Sequence, residues 1–303
     1  MRPRRAIAVV GLGAMGLPMA LRLVQAGFDV RGVDRVAGCR KRYEDLGGTV
    51  APTVADAVCG AQALLLLVVN AEQAEDVLFG SGGAVEAMEQ RCIVLLSLTT
   101  SPEDAARLGN RLADRGIRMI DAPVSGGVKR ATSGTLTVLA SGSPRDIADV
   151  RPFLAALGSV HEVGPRHGQA AAVKLINQLL CGAHLAAAAE AIALAERAGV
   201  DPQKVYDVVK VSSGASQMFL DRVPIMLGLE RRVTAAVDIL VKDLTLVRNL
   251  GMTVGARTPI VEDALALFNE AAFRGLGARN DSEIVQCLRL PPAQVITHSE
   301  DPN

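Results

Sequence analysis

Ala6-Ile7-Ala8-Val9-Val10-Gly11-Leu12-Gly13-Ala14-Met15-Gly16 joins an apolar run to three spaced glycines, and an amphipathic stretch from Met15 to Ala26 follows. That order predicts a strand, a tight turn and a helix. Gly11 permits the sharp change of direction, Gly13 lets a pyrophosphate approach the backbone, and Gly16 allows the helix to pack closely on the strand, with the phosphate at the helix N-terminus. A glycine-rich turn without a ligand is the plainer alternative. The flanking strand and helix supply the context in which this spacing signals a dinucleotide, so Gly11, Leu12, Gly13, Ala14 and Met15 are candidate cofactor contacts.

Outward from this stretch, short apolar or β-branched runs alternate with longer amphipathic ones, a pattern that predicts parallel strands with crossover helices. Strands are expected at 6–10, 30–33, 63–69, 93–97, 118–121, 135–140 and 160–163. Leu64 to Val69 has no polar alternation, as a central strand covered on both faces requires. The stretches beginning at Pro102 and Pro144 carry proline in the first helical turn, where its missing N–H costs nothing. Beyond about Gly168 the strand signal stops. Gln169 to Ala198 is a long Ala-rich stretch closed by Gly199, with Asp201-Pro202 starting the next helix, and a later helix is expected over 260–274. The expected architecture is therefore α/β: a Rossmann-type doubly wound sheet over 1–166, and an all-α domain over 167–303 joined to it by the long helix. The tail from Pro291 reads as frayed.

Composition narrows the function. The 303 residues are 50% hydrophobic, enough for a large core and too many for one average domain. Lys plus Arg (32) equals Asp plus Glu (32), which removes the basic footprint that nucleic acid or an anionic membrane needs. Aromatics are 3% with no Trp, so stacking platforms for single strands are not expected either. Five cysteines, odd in number and without CxxC spacing, read as reduced, mostly buried thiols of a cytoplasmic protein. The apolar run after the basic start breaks at Gly11 and Gly13, too soon for a signal peptide or a membrane span. His161, His167 and His298 are isolated, and His184 and Glu190 have no companion at ligand spacing, so no metal site is expected.

Further candidates sit at strand ends. Asp34 ends the second strand about 20 residues past the glycines, where an acid can hydrogen-bond the adenosine ribose and repel a 2′-phosphate. This favours NAD, while neighbouring Arg35 keeps NADP possible; a solvated strand-end carboxylate is the alternative for Asp34. Val69-Asn70 and Thr99 follow later strands on the same edge, as cofactor contacts or as helix caps. Ser125-Gly126-Gly127 offers a hydroxyl and unobstructed N–H groups, a nest for a carboxylate or simply a tight loop. Lys174, Asn177 and Gln178 share one helical face among apolar neighbours. Desolvation there would lower a lysine pKa toward the catalytic range; a snorkelling surface lysine is the alternative. Lys242-Asp243 reads as an ordinary charged pair opening a helical stretch.

Taken together, Gly11 to Gly16 followed by Leu17-Pro18-Met19-Ala20, Thr99 with Ser101-Pro102, Asp121 to Gly127, Lys174 to Gln178 and Lys242-Asp243-Leu244 resemble the β-hydroxyacid dehydrogenases. That family includes 3-hydroxyisobutyrate, tartronate-semialdehyde and 6-phosphogluconate-type enzymes. The resemblance implies that Lys174 is the acid/base, that Ser125-Gly126-Gly127 holds the substrate carboxylate, that Asn177 orients the substrate, and that Thr99 and Lys242 contact the dinucleotide. It also implies homodimers or homotetramers.

Within the family the chain is most similar to the L-threonate dehydrogenase branch. The carriers are Val69-Asn70-Ala71-Glu72-Gln73-Ala74, Val77-Leu78-Phe79-Gly80, Ile176-Asn177-Gln178-Leu179-Leu180 with His184, and Val237-Asp238-Ile239. Gly214-Ala215-Ser216-Gln217-Met218-Phe219 departs from that branch, which usually has Asn and Trp there; Ala170 replaces a frequent Gly. The implied activity is NAD-dependent oxidation of a small hydroxy acid, such as a four-carbon sugar acid, with Gln178 meeting an extra hydroxyl. The alternatives are a reductase of a tartronate- or succinic-type semialdehyde using NAD(P)H, a 3-hydroxyisobutyrate dehydrogenase, or a binding protein without catalysis, against which the intact Lys174, Asn177 and Ser125-Gly126-Gly127 argue.

Overall fold

A computed structural model describes residues 5–232 and 234–289. The basic start, the tail from Pro291 and His298 lie outside them. Contacts divide the chain into two units, Met1–Asn177 and Gln178–Asn303.

The first unit runs β1 (Ala6–Val10), α1 (Gly16–Gln25), β2 (Asp29–Val33), α2 (Ala37–Asp45), β3 (Thr49–Val50), α3 (Val54–Val58), β4 (Ala63–Leu66), α4 (Ala71–Phe79), α5 (Ala84–Ala87), β5 (Ile93–Leu96), α6 (Pro102–Ala113), β6 (Arg118–Asp121), β7 (Val124–Ser125), α7 (Gly127–Ser133), β8 (Leu136–Ser141), α8 (Pro144–Leu157) and β9 (Gly158–Gly164). The sheet order is β3-β2-β1-β4-β5-β6-β8-β7, with β9 on β8. From β3 to β6 every pair is parallel, so the strand order reverses between β1 and β4, the usual place for a ligand in a doubly wound sheet. The far edge departs from the all-parallel expectation. There β8 runs antiparallel to both β6 and β7 and parallel to β9. Two of the strands, β3 and β7, span two residues each, too short to leave a hydrophobic period.

Side chains alternate across the sheet into two cores. Ile7, Val9, Leu65 and Leu95 face one cluster with Leu23 of α1 and Phe153 of α8; Ala8, Val10, Leu64 and Val94 face the other with Leu78 of α4 and Leu108 of α6. This two-sided burial explains the unbroken apolar run of β4. The crossover helices start where expected. Ser101 and Ser143 cap α6 and α8 by accepting from the Asp104 and Asp146 amides, with proline in the first turn of each.

α9 (Gln169–Arg197) is a single 29-residue helix that begins in the first unit and continues into the second. It has the length and apolarity of a membrane span. Ala170, Ala171 and Leu175 in its first turns are buried, as are Leu185, Ala188, Ala189 and Ile192 further on, which is the burial of a core helix.

The second unit continues with α10 (Pro202–Val209), α11 (Gln217–Met226), α12 (Val237–Val254), α13 (Pro259–Ala271) with a π-helical turn at Ala272–Leu276, a 3-10 turn at Asp281–Ile284, and α14 (Val285–Arg289). Among the described residues it contains no strand. α12 packs so closely on α9 that a Cβ at Gly182 would lie 2.6 Å from the Leu244 side chain. Buried Asp281 joins distant segments by accepting from Arg222 at 2.9 and 3.1 Å and from Thr234 at 2.6 Å. Lys242 does not open a helix; it sits well inside α12, whose first turn carries Asp238.

All five cysteines are free, but only Cys92 and Cys287 are buried and Cys59 is exposed, which corrects the expectation of mostly buried thiols. Burial, then the nearby Glu89 charge, pushes the Cys92 thiol up to about 12.

At Gly16 a Cβ would lie 1.7 Å from the Gly11 carbonyl oxygen, and backbone cannot yield there as a flexible side chain could. Gly16→Ala should therefore destabilise the fold by about 3 kcal/mol or more, measured as a fall in denaturation midpoint at unchanged m.

Candidate active site

The turn between β1 and α1 shows which glycine the protein needs for itself. Gly11 has φ +96°, and a Cβ there would stand 2.5 Å from the Leu67 carbonyl oxygen. Gly16 is closed off by Gly11. Gly13, in contrast, has nothing within 4 Å of where its Cβ would be. Internal packing gives no reason for a missing side chain at residue 13; a ligand lying against the backbone does. Ala14 is exposed and Met15 half-buried beside it. The N-cap, Met15, makes no side-chain hydrogen bond, and the first turn of α1 carries no acidic side chain, so the positive end of that helix is left for an anion. These features fit a pyrophosphate.

Asp34, just past the end of β2, holds the turn from the side. Its Oδ2 accepts the Leu12 amide at 2.7 Å and its Oδ1 the Val36 amide at 2.8 Å. Leu12 thus spends its N–H inside the protein and buries its side chain. Arg35 is exposed, and the guanidinium of Arg40 donates to the Asp34 and Arg35 carbonyls at 2.6 and 3.1 Å. Arg40, which the sequence reading passed over, is the cation that braces this corner.

Asn70 takes its capping option: Oδ1 accepts the Gln73 amide at 2.9 Å, and Gln73 Oε1 accepts the Val69 amide at 3.0 Å, a reciprocal closure of the α4 N-terminus. Thr99, three residues past β5, is half-buried, and Ser101 rather than Thr99 caps α6.

Ser125 ends β7, and Gly126 and Gly127 follow at φ +131° and +66°, a reversal that suits glycine. A Cβ on Gly126 would strike the Arg130 side chain, whereas one on Gly127 would meet nothing. Asn177 Nδ2 lies 3.5 Å from Ser125 Oγ, bringing the loop and the first turns of α9 together inside the first unit.

The stripe of α9 that is buried comprises Ala171, Lys174, Leu175 and Gln178, while Val173, Ile176 and Leu180 are exposed. Lys174 is 8% exposed, so it is not a snorkelling surface lysine. In the second unit Gln178 Nε2 donates to Asp243 Oδ2 at 2.6 Å, and Lys242 Nζ donates to Asp243 Oδ1 at 2.7 Å. Asp243, 2% exposed, is therefore a buried carboxylate holding two candidate residues, one of them 65 positions away in the chain. Nothing in the local sequence could have distinguished it from an ordinary charged pair. Ser216, in the segment that departs from the branch pattern, caps α11 by accepting the Phe219 amide at 3.1 Å. Among the described residues no group of three or more His, Cys, Asp or Glu is placed to hold a metal ion.

Comparison with known proteins covers nearly all of the chain. The NAD binding domain of 6-phosphogluconate dehydrogenase matches residues 6–166, and the NAD-binding domain of NADP-dependent 3-hydroxyisobutyrate dehydrogenase matches residues 168–288. L-threonate dehydrogenase from Cupriavidus necator is 43% identical over 283 residues, 93% of this chain and 95% of that one. Its counterpart from Escherichia coli is 38% identical over 95% of this chain and 97% of its own. The crystal structure of a 3-hydroxyisobutyrate dehydrogenase from Salmonella typhimurium, 36% identical, matches with a TM-score of 0.86 over 93% of this chain and 99% of that chain.

A 2′-phosphate set beside Asp34 would meet a like charge already anchored by two amides. NAD should be preferred to NADP by at least about tenfold in kcat/KM; equal or better turnover with NADP would remove Asp34 from the ribose site.

Proposed function

The chain belongs to the β-hydroxyacid dehydrogenase family, and on that premise we propose that it oxidises a four-carbon sugar acid of the L-threonate type with NAD, using Lys174 as general base. The observation that carries this reading is the approach of Asn177 Nδ2 to Ser125 Oγ, 3.5 Å, on a helix whose buried stripe includes Lys174. That the residues proposed as carboxylate loop, orienting amide and base belong to one unit supports the reading. The L-threonate dehydrogenases at 38–43% identity support the choice of substrate.

Oxidation of a carbinol needs a proton acceptor, because hydride leaves carbon only as the hydroxyl proton is taken up. A bound nicotinamide would supply the hydride acceptor. In the proposed roles the Ser125 hydroxyl and the amides of Gly126 and Gly127 hold the substrate carboxylate, and Asn177 orients the hydroxyl to be oxidised. Neutral Lys174 takes the proton at Nζ as the C–O bond becomes a carbonyl. In the second unit, Asp243 fixes the side to which the Gln178 amide points. Gly11, Leu12, Gly13, Ala14, Met15, Asp34, Arg35, Val69, Asn70 and Thr99 are proposed to line the dinucleotide, with NADP as a poorer second cofactor. The exposed apolar positions Val173, Ile176 and Leu180 on α9 support assembly into homodimers or homotetramers, and the five free thiols support a cytoplasmic setting.

Lys174→Ala should lower kcat by roughly 10²-fold while NAD affinity stays nearly constant. Near-native kcat, or parallel loss of NAD affinity, shows that Lys174 is not the base. L-threonate should also exceed 3-hydroxyisobutyrate in kcat/KM by at least about tenfold, because a site that hydrogen-bonds an additional substrate hydroxyl penalises the acid lacking it. Equal values would leave the family reading intact and remove the substrate assignment.

A further inference from the structure

Asp121 ends β6 and is 1% exposed, a buried charge on which the roles assigned above make no demand. Its surroundings explain why a carboxylate is kept there. Oδ2 accepts the Gly168 amide at 2.5 Å and the Ser141 hydroxyl at 2.9 Å. Ser141 is its direct partner across the antiparallel β6–β8 pair, and Ser141 Oγ in turn accepts the Ala170 amide at 2.9 Å. Gly168 and Ala170 bracket Gln169, the first residue of α9, so two otherwise orphaned amides of the helix start are received by the ends of two strands. A negative charge at the positive end of a 29-residue helix is favourable in its own right. The remaining oxygen, Oδ1, faces His167 Nδ1 at 3.6 Å, and neither atom has a hydrogen-bond partner among the described residues. The His167 ring is itself held against α6, where a Cβ on Gly109 would lie 2.4 Å from it.

These contacts close a ring within the first unit. From Asp121 the chain runs four residues to Ser125; Ser125 meets Asn177; from Asn177 the helix runs back past Lys174 to Gly168, which is bonded to Asp121. We infer that Asp121 is a positioning residue for the dehydrogenase reaction: it sets the depth and rotation of the first turns of α9, and so the placement of Lys174 and Asn177 against the Ser125-Gly126-Gly127 loop. The requirement is strict because a slip of one residue turns a helix by about 100°, enough to carry Lys174 off the buried stripe. The inference rests on the reading of Lys174 as the base, and the position of Asp121 explains why an acid stands next to the substrate loop without joining it.

The test compares Asp121→Ala, Asp121→Asn, Ser141→Ala and Lys174→Ala with the unmodified full-length enzyme. It uses steady-state kinetics with L-threonate and NAD, normalised to folded protein, together with amide hydrogen exchange over residues 168–178. Asp121→Ala should lower kcat at least about tenfold, since a misplacement near 1 Å suffices, with KM for NAD within about twofold and faster exchange at the start of α9. Asp121→Asn keeps an oxygen for both donors and turns an N–H toward His167, so it should restore kcat to within about threefold of the unmodified enzyme and restore protection. Ser141→Ala should show the Asp121→Ala effects in weaker form, and it serves as the decisive variant if Asp121→Ala does not fold. Native kcat and unchanged exchange in Asp121→Ala, or Asp121→Asn as impaired as Asp121→Ala, would overturn the inference. Activity retained in Lys174→Ala would instead overturn the reading of the base, while the exchange data would still decide whether Asp121 holds the helix.

Discussion

The Leu67 carbonyl occupies the space that any side chain on residue 11 would need, and the rest of the first unit is arranged around that approach of β4 to the end of β1. It occurs where the strand order reverses, so the chain leaving β1 must turn at once, and α1 must start against the turn it has just made. The result is a helix N-terminus without a capping side chain, bounded by an open glycine and by a carboxylate held on two amides. Cofactor recognition is in this sense a by-product of how a parallel sheet changes direction. The adjacent strand ends then carry the Ser125-Gly126-Gly127 loop and the Asp121 anchor of α9.

α9 carries polar residues within an otherwise apolar buried stripe. Its buried stripe includes a lysine and a glutamine, and valine, isoleucine and leucine face outward. A buried polar stripe is costly unless its members are engaged, and at Gln178 the engagement is visible as a bond to Asp243. Exposed aliphatic positions elsewhere on the helix would suit the self-association proposed above. The buried polar positions and the exposed aliphatic ones on this helix thus differ only by helical phase.

Much of this was legible in the residues. The glycine turn, the two-sided apolar strands, the Ser-Pro helix starts and the change from α/β to all-α are local or periodic signals, and each corresponds to a structural element. What escaped was whatever depended on partners distant in sequence. The antiparallel edge of the sheet depends on where β8 pairs, which its own residues do not encode; β3 and β7 are too short for any period. Asp121 and Asp243 looked like a strand-end acid and half of an ion pair, yet their partners lie 47 and 65 positions away. Asn70, by contrast, was ambiguous because capping needs only Gln73 nearby, and the cap is what the side chain forms.

The bonds that Asp34 makes inside the protein bear on how the enzyme's coenzyme use can evolve. The carboxylate receives the Leu12 and Val36 amides, so it has a structural duty separate from its proposed part in discrimination. Replacing it by a small neutral residue would invite a 2′-phosphate and at the same time strand two amides at the corner where β2 enters α2. A lineage moving toward NADP would have to find new acceptors for those amides along with a new cation for the phosphate. The first single substitution therefore crosses a stability valley. On the proposed role of Asp34, coenzyme choice is guarded by the fold's own need for an acceptor there.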